Sequence, residues 1–180
     1  ELKDYGILNY MTSHDDGQPF DKERKMPFKT ATMLLLTPGT SQVYYGDESS
    51  RDLTIEGTVG DATLRSFMNW DAIKNNVKTQ EVLNHWEKLG QFRANHMSVG
   101  AGKHQLISEK NGLFFSRVRN EDKVVIGINI IEKKIDIDVS SVFSNGDILR
   151  DAYSNKEIEV KEGIASFVSE FSVVLLEEKQ

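Results

Sequence analysis

Cysteine is absent from the 180 residues of the chain. This excludes disulfide bonds, zinc sites built from thiolates and thiol nucleophiles, but it leaves the cellular compartment open. Long hydrophobic runs are also missing, and the apolar run Met33–Leu36 is far too short to span a bilayer. Basic residues are not in excess, because 28 acidic and 22 basic residues give a net charge of −6. Neither a membrane-embedded protein nor a nucleic-acid-binding one is therefore expected.

The composition that remains is that of a globular protein. Hydrophobic residues make up 38% of the chain, which is enough for an ordinary core in one domain or in two small ones. The chain starts at Glu1, without an initiator methionine and without a basic and apolar leader. We therefore expect it to be a piece of a longer protein.

The most informative stretch lies near the amino terminus. The mostly apolar segment Ile7–Ser13 leads directly into His14, Asp15 and Asp16, and turn residues within Gly17–Pro19 end it. A buried strand that ends in an imidazole and two carboxylates is how an α/β protein places reactive groups at the carboxyl edge of a sheet. A polar cluster ahead of such a turn is also typical of a solvated loop, so the stretch alone leaves both interpretations open.

A strand–helix–strand unit follows from the next residues. The charged stretch Asp21–Lys25 is expected to be solvated, and Pro27 is suited to the first turn of a helix that ends before Pro38. Gln42–Tyr45 then predicts a short buried strand, which two further acidic residues follow. Such a unit indicates a right-handed crossover in a parallel sheet.

A long connection and a second helix come next. Ser49–Lys78 is polar and longer than an ordinary connection, which indicates a functional or inserted segment. Thr79 is the expected cap of a helix that ends before the break at Gly100 and Gly102. Apolar residues recur along this helix at spacings of three and four: Val82, Leu83, Trp86, Leu89 and Phe92.

Beyond Gly102 the hydrophobic pattern becomes the alternation typical of strands. Short strand candidates, separated by turn sequences, are His104–Ser108, Leu113–Arg119, Lys123–Ile131, Lys134–Val139, Glu157–Val160, Ile164–Val168 and Ser172–Leu176. This number of short strands predicts an antiparallel β-sandwich. No set of His, Ser or carboxylate side chains stands out in this half, so we expect a packing domain.

Three sequence elements carry a resemblance to a known family. Asn9–Asp15 ends in a His-Asp pair, Met33–Glu48 contains a Pro-Gly turn followed by Tyr-Tyr-Gly-Asp-Glu, and Asp61 and Arg65 precede Trp70. With the order of elements, they resemble the carboxyl-terminal part of an enzyme of the alpha-amylase family of glycoside hydrolases. In that family they correspond to the seventh barrel strand, to helix seven with strand eight, and to the loop after strand eight.

The resemblance implies a fold class, α/β plus all-β. Residues 1–97 are expected to form the last two βα units of a TIM-type (β/α)8 barrel, with strands seven and eight and helices seven and eight. Residues 98–180 are expected to form a carboxyl-terminal antiparallel β-sandwich of about seven strands.

The resemblance also implies the chemistry of a retaining α-glucan hydrolase. Its nucleophile and its acid/base are two carboxyl groups about 5–5.5 Å apart. Asp15 would be neither, but a third catalytic carboxylate that stabilises the charge developing on the sugar in the transition state. His14 would donate a hydrogen bond to the same sugar. Asp61 and Arg65 could pair with one another and bind a neighbouring glucose.

Other residues of these elements have two interpretations. Tyr44, Tyr45 and Trp70 could stack on sugars, although tyrosines in a barrel strand more often belong to the core. The remaining acidic residues are interpreted as supporting or loop carboxylates: Asp16, Asp47 and Glu48.

The resemblance does not supply a complete active site. In the family, six strands precede the His-Asp strand and carry the nucleophilic Asp and the acid/base Glu. No residue here matches those motifs, so we expect the chain alone to be inactive toward the α-1,4-glucosidic bonds of starch or maltodextrins. A fragment of a same-family transglycosylase or isomerase stays open, as does a stand-alone carbohydrate-binding or interaction module.

The expected partner is an α-glucan, with no nucleic acid, no membrane, and self-association through uncovered barrel strands. No cofactor is evident and no residues have metal-ligand spacing; His96 and His104 are interpreted as lone solvated or packing residues. Calcium stays open for the full-length parent, because the family's calcium ligands lie largely outside this chain.

The compartment is undetermined. A large glucan that cannot cross a membrane favours a periplasmic or secreted location over a cytoplasmic one.

Overall fold

The computed structural model describes residues 6–179 of the chain. Contacts divide the chain into two compact units, Glu1–Gln91 and Phe92–Gln180. The sequence predicts its domain boundary slightly later, after residue 97. No helix within the described residues is both long and apolar enough to cross a membrane.

The first unit contains a parallel strand pair joined through a helix. The elements are β1 (Leu8–Asn9), α1 (Pro27–Leu35) and β2 (Thr40–Ser41), and β1 pairs with β2. Pro27 occupies the first turn of α1 because its missing N–H has no helical partner there in any case. The side chain of Asn9 donates a hydrogen bond to the main-chain oxygen of Pro38 at 2.8 Å, which ties β1 to the turn before β2.

The strands of this unit are shorter and more exposed than predicted. The sequence predicts a buried strand over Gln42–Tyr45, but only β2 is paired, and Val43 and Tyr45 are 44% and 42% exposed. Ile7 and Leu8, expected to be buried, are also about half exposed. The physical reason is that β1 and β2 have no further strand neighbours among the described residues, which leaves both edges and most of both faces uncovered.

The long connection after β2 contains a 3₁₀ helix (Gly60–Leu64) and α2 (Trp70–Asn75), and α3 (Val77–Asn95) follows. The sequence predicts Thr79 as the cap of α3, which is wrong. Asn76 precedes the helix, and its Oδ1 accepts the main-chain N–H of Thr79 at 3.0 Å. Asn76 is the cap because its amide oxygen satisfies a donor of the first turn. Leu83, one of the five apolar residues predicted to recur along α3, is partly exposed. The other four are buried: Val82, Trp86, Leu89 and Phe92.

In the described part of the second unit, the last turn of α3 is followed by a short helix and eight strands. The sequence predicts a helix break at Gly100 and Gly102. In the structure α3 already ends at Asn95, a short helix α4 (Met97–Ala101) contains Gly100, and Gly102 is the C-cap of α4. The strands are β3 (Lys103–Ser108), β4 (Leu113–Arg119), β5 (Asp122–Ile128), β6 (Lys134–Asp138), β7 (Ile148–Asp151), β8 (Lys156–Lys161), β9 (Ile164–Val168) and β10 (Val173–Glu178).

These strands form one hydrogen-bonded sheet in the order β3-β4-β5-β10-β7-β8-β9-β6, and every neighbouring pair is antiparallel. The sheet curls, because strands near its two ends contribute to one core. That core includes Phe114 of β4, Ile135 and Ile137 of β6, Leu149 of β7 and Leu176 of β10. The predicted all-β architecture of this half is therefore confirmed.

Seven strands are predicted in this half and eight are found; the additional strand is β7. In β7 the buried positions are Leu149 and Asp151, whereas Ile148 and Arg150 are exposed. A buried carboxylate and an exposed isoleucine hide the alternation on which the prediction depends. Asp151 is tolerated inside because its Oδ1 accepts the main-chain N–H of Leu175 at 2.9 Å.

Candidate functional site

The His14–Asp15 pair lies beyond β1, directly after two buried residues. Thr12 and Ser13 are buried, whereas the side chains of His14 and Asp15 are 63% and 62% exposed. His14 Nε2 lies 3.8 Å from Asp15 Oδ2, and Ser13 Oγ donates a hydrogen bond to Asp15 Oδ1 at 2.7 Å. The structure thus presents an imidazole and a carboxylate to solvent while a buried hydroxyl orients the carboxylate.

The surroundings of Asp15 favour its ionised form. The hydrogen bond from Ser13 is the main cause that lowers the pKa of Asp15, and His14 and Arg65 lower it further. A carboxyl group with a lowered pKa is negatively charged at neutral pH. Such a group suits the stabilisation of positive charge rather than the delivery of a proton.

Arg65 contacts the pair, but Asp61 does not. Arg65 Nε donates a hydrogen bond to the main-chain oxygen of His14 at 3.3 Å. Asp61 lies in the first turn of the 3₁₀ helix with an exposed side chain, and the ion pair considered between Asp61 and Arg65 is not formed. The structure therefore brings three of the predicted site residues together and leaves Asp61 apart.

The aromatic residues of these elements differ in their surroundings. The rings of Tyr44 and Tyr45 meet edge to face, with centroids 4.6 Å apart. Their hydroxyls donate hydrogen bonds to the main-chain oxygens of Leu64 at 3.1 Å and Ser66 at 2.9 Å. Trp70, in contrast, is 69% exposed. The tyrosines therefore fasten the segment after β2, while the indole of Trp70 faces solvent.

A buried ion pair next to these residues is not evident from the sequence. Asp47 Oδ1 accepts a hydrogen bond from Arg24 Nη2 at 2.7 Å, and Asp47 Oδ2 accepts one from Thr12 Oγ1 at 2.5 Å. The Asp47 side chain is fully buried and that of Arg24 is only 9% exposed. The expectation of a solvated stretch over Asp21–Lys25 is therefore wrong for Arg24, because a buried carboxylate requires a cation beside it.

Arg51 fastens the turn that follows Tyr45. Its Nε donates to the main-chain oxygen of Tyr45 at 3.0 Å, and its Nη1 donates to that of Ser66 at 3.0 Å. Gly46 has φ +82°, and a Cβ at this position would lie 2.6 Å from the Cβ of Arg51. Only glycine tolerates both the left-handed backbone and this close approach. The glycine between the tyrosines and Asp47 is the sequence signal for this packing.

A second charged cluster lies in the β-domain and corrects the interpretation of His96 as a lone residue. His96 Nδ1 is hydrogen-bonded to Asp122 Oδ1 at 2.7 Å, and His96 Nε2 to Glu177 Oε2 at 2.6 Å. Arg150 Nε donates to Glu177 Oε1 at 2.7 Å. No group of three or more His, Asp or Glu side chains suited to a metal ion occurs within residues 6–179. His104 accepts a hydrogen bond from Arg117 Nε at 3.0 Å.

Comparison with known proteins identifies the family. No protein-family model matches the chain. A periplasmic alpha-amylase of Escherichia coli (strain K12) is 39% identical over 126 residues, which are 70% of this chain and 18% of that protein. The chain belongs to the alpha-amylase family. It spans about a fifth of the length of this relative, and its elements are those expected for the carboxyl-terminal part of a family member.

Solved structures of alpha-amylases share the fold. An Anoxybacillus alpha-amylase matches 98% of this chain and 39% of its own, with a TM-score of 0.66 and 22% identity. The Geobacillus thermoleovorans alpha-amylase, solved in complex with acarbose, matches 98% of this chain and 40% of its own, with a TM-score of 0.68 and 18% identity. The predicted fold class, the end of a (β/α)8 barrel followed by an antiparallel β-domain, is confirmed by this likeness.

Proposed function

We propose that this chain is part of a retaining α-glucan hydrolase and that Asp15 is its transition-state-stabilising carboxylate. The observation that supports this most is the exposed Asp15 carboxylate beside His14, with a lowered pKa, in a chain of the alpha-amylase family. The proposed bond to be cleaved is the α-1,4-glucosidic bond of starch or maltodextrins.

In a retaining reaction a carboxylate attacks the anomeric carbon while a carboxylic acid protonates the leaving oxygen, and water later releases the glycosyl group. The sugar passes through an oxocarbenium-like transition state. A fixed carboxylate that faces this cation lowers the barrier. The positive charge of the sugar develops in the transition state and is absent from the substrate, so the carboxylate stabilises the transition state more than the substrate. The nucleophile and the acid/base are assigned to residues outside this chain, so the chain alone is proposed to be inactive.

The neighbours of Asp15 receive binding roles. His14 is proposed to donate a hydrogen bond from its exposed ring to the sugar that Asp15 contacts. Arg65, held against the main chain of His14, is proposed to bind a hydroxyl of a neighbouring glucose with its remaining N–H groups. Asp61 is proposed to bind the substrate from the exposed first turn of the 3₁₀ helix, separately from Arg65.

The proposed substrate and location are supported by what similar proteins bind and where one is found. AmyP, with 15% identity and a TM-score of 0.67, was solved with maltotriose, and the Geobacillus thermoleovorans enzyme with acarbose. A cyclomaltodextrinase with a TM-score of 0.65 shows that the fold also occurs with other specificities, so a different reaction on α-glucans is the second candidate. A periplasmic location is proposed because the Escherichia coli relative is periplasmic.

Self-association of the chain in isolation is also proposed. β1 and β2 pair only with each other in the described structure, so each strand has an unpaired edge. Ile7, Leu8 and Tyr10 add an exposed apolar surface beside that edge. An uncovered edge with apolar side chains pairs readily with another chain.

Replacement of Asp15 by Asn in the full-length protein tests the proposed function. The neutral amide keeps the shape but removes the charge, so we expect kcat on maltodextrins to fall by about three orders of magnitude with a modest change in KM. The matched control is Asp16→Asn, the adjacent carboxylate, whose Oδ1 accepts the main-chain N–H of Gln18 at 3.0 Å. That variant is expected to keep kcat within about tenfold. Near-normal turnover of Asp15→Asn would remove Asp15 from the catalytic set.

A further inference from the structure

A buried cluster has no role in the catalytic scheme. It is formed by the side chains of Thr12, Arg24 and Asp47 and is here called the Asp47 anchor. Both carboxylate oxygens of Asp47 are engaged, Oδ1 by Arg24 Nη2 at 2.7 Å and Oδ2 by Thr12 Oγ1 at 2.5 Å. Arg24 Nε donates to the main-chain oxygen of Arg51 at 2.8 Å. The cluster thus connects the end of the β1 segment with the turn after β2.

We propose that Asp47 is a positioning residue for Asp15 that acts through Thr12 and Ser13, and that Arg24 holds Asp47 in place. The inference rests on the proposed role of Asp15 and adds residues to it. Asp47 itself is buried and does not contact a sugar; its effect is transmitted through the main chain.

The transmission is short. Thr12 is fully buried and is followed directly by Ser13, whose buried hydroxyl donates to Asp15 Oδ1 at 2.7 Å. A displacement of Thr12 therefore moves the hydroxyl that orients Asp15 and favours its charge. Because a hydrogen bond weakens steeply when its geometry is lost, a small shift of Thr12 is enough to release the carboxylate.

Backbone strain supports a built arrangement rather than an incidental contact. Arg24 has φ +53°, in the left-handed region that is uncommon for a non-glycine residue, and Asp21 has φ +51°, which aspartate adopts more readily. Asp21 Oδ1 and Oδ2 accept the main-chain N–H groups of Lys25 at 2.7 Å and Met26 at 2.8 Å, which fixes the bend that brings Arg24 to Asp47. Such strain persists where the surrounding contacts determine the conformation, and it is concentrated at functional sites.

The test compares Thr12→Val with Thr12→Ser. Valine has nearly the shape of threonine but cannot donate to Asp47, whereas serine keeps the hydroxyl. The matched control is Thr58→Val, which removes a hydroxyl that donates to the main-chain oxygen of Ile55 at 2.6 Å, outside the Asp47 anchor. The first readout is the pKa of Asp15, which is measured in this chain from the carboxyl carbon NMR signal as a function of pH. The second is kcat and KM on maltodextrins in the full-length protein.

We expect Thr12→Val to raise the pKa of Asp15 toward its ordinary value and to lower kcat about a hundredfold with KM little changed. Thr12→Ser and Thr58→Val are expected to leave both unchanged. An unaltered Asp15 pKa in a folded Thr12→Val chain, or an equal change in Thr58→Val, would overturn the proposal.

A second variant covers the case in which Thr12→Val does not fold. Arg24→Lys keeps the positive charge but replaces the two donating nitrogens of arginine, Nε and Nη2, by a single ammonium group, which weakens the hydrogen bonds to Asp47 and to the Arg51 carbonyl. A smaller rise of the Asp15 pKa is therefore expected, and no rise would overturn the proposal. The titration is independent of turnover. Normal turnover of full-length Asp15→Asn would therefore remove the proposed function without changing this result.

Discussion

At the scale of single residues, His96 shows how a charged cluster reverses the effect of burial. Burial alone lowers the pKa of His96, but the hydrogen bonds to Glu177 and Asp122 outweigh it and raise the pKa above its ordinary value. Burial likewise opposes ionisation of Asp122 and Glu177, yet the pKa of each is lowered by its bond to His96. Arg150 adds a further positive charge beside Glu177. The cluster therefore stabilises the fold when His96 is protonated.

The expected consequence is a loss of stability at alkaline pH. A raised folded-state pKa gives stabilisation that is fully present below the unfolded histidine pKa of about 6.5 and is lost as pH rises through the folded-state value. His96→Gln is expected to lower the free energy of unfolding by about 2 kcal/mol at pH 6 and to remove this part of the pH dependence. Urea unfolding between pH 6 and 9 measures both.

His104→Gln is the control for the loss of stability at alkaline pH. His104 is largely exposed, and its pKa is lowered rather than raised, first by partial desolvation and then by the positive charge of Arg117. This variant is expected to keep the decline of stability above neutral pH. The same decline in His96→Gln would show that the cluster is not its cause.

At the scale of elements, the sequence predicts helices and strands correctly where local signals determine them and less well where contacts with distant residues determine them. Strands Leu113–Arg119 and Ile164–Val168 have the bounds predicted from alternation and turns, and α1 starts at the predicted proline, because these signals are local. The strand predicted at Gln42–Tyr45 and the overlooked strand Ile148–Asp151 depend on which neighbours cover them. A short segment does not contain that information.

The candidate site follows the same rule. His14 and Asp15 were predicted because they are adjacent in the sequence, and the resemblance supplied Arg65. The Asp47 anchor was not predicted, because Arg24 and Asp47 lie 23 residues apart and their burial arises only when the chain folds. Charged residues are rarely buried without a partner, so sequence alone favours the solvated interpretation of Arg24.

The exposed edge of β1 carries a prediction at this scale. Sedimentation of the isolated chain is expected to show concentration-dependent self-association, which Leu8→Lys weakens by about tenfold or more because a charge on an edge strand opposes pairing. Val59→Lys is the matched control, since Val59 is also exposed but lies outside both strands. A monodisperse monomer at all concentrations, with both edges open to water, would count against the proposal.

At the scale of the whole molecule, the two units differ in how complete they are. The second unit builds its own core from a curled sheet of eight strands. Within the described residues, the first contains two short paired strands, and its proposed site has one catalytic carboxylate, Asp15, of the three in the proposed scheme. The chain also spans 18% of its Escherichia coli relative and about two fifths of the alpha-amylase structures that share its fold. Its proposed chemistry therefore belongs to a longer protein.

The most direct test of the central claim is a crystal structure of the full-length protein with acarbose bound. We expect an oxygen of Asp15 about 2.5–3.0 Å from a hydroxyl of the inhibitor ring at the reacting position. His14 should contact the same ring, and two carboxyl groups from outside this chain should lie about 5–5.5 Å apart beside it. An inhibitor bound between those two groups with Asp15 turned away from the ring would contradict the account.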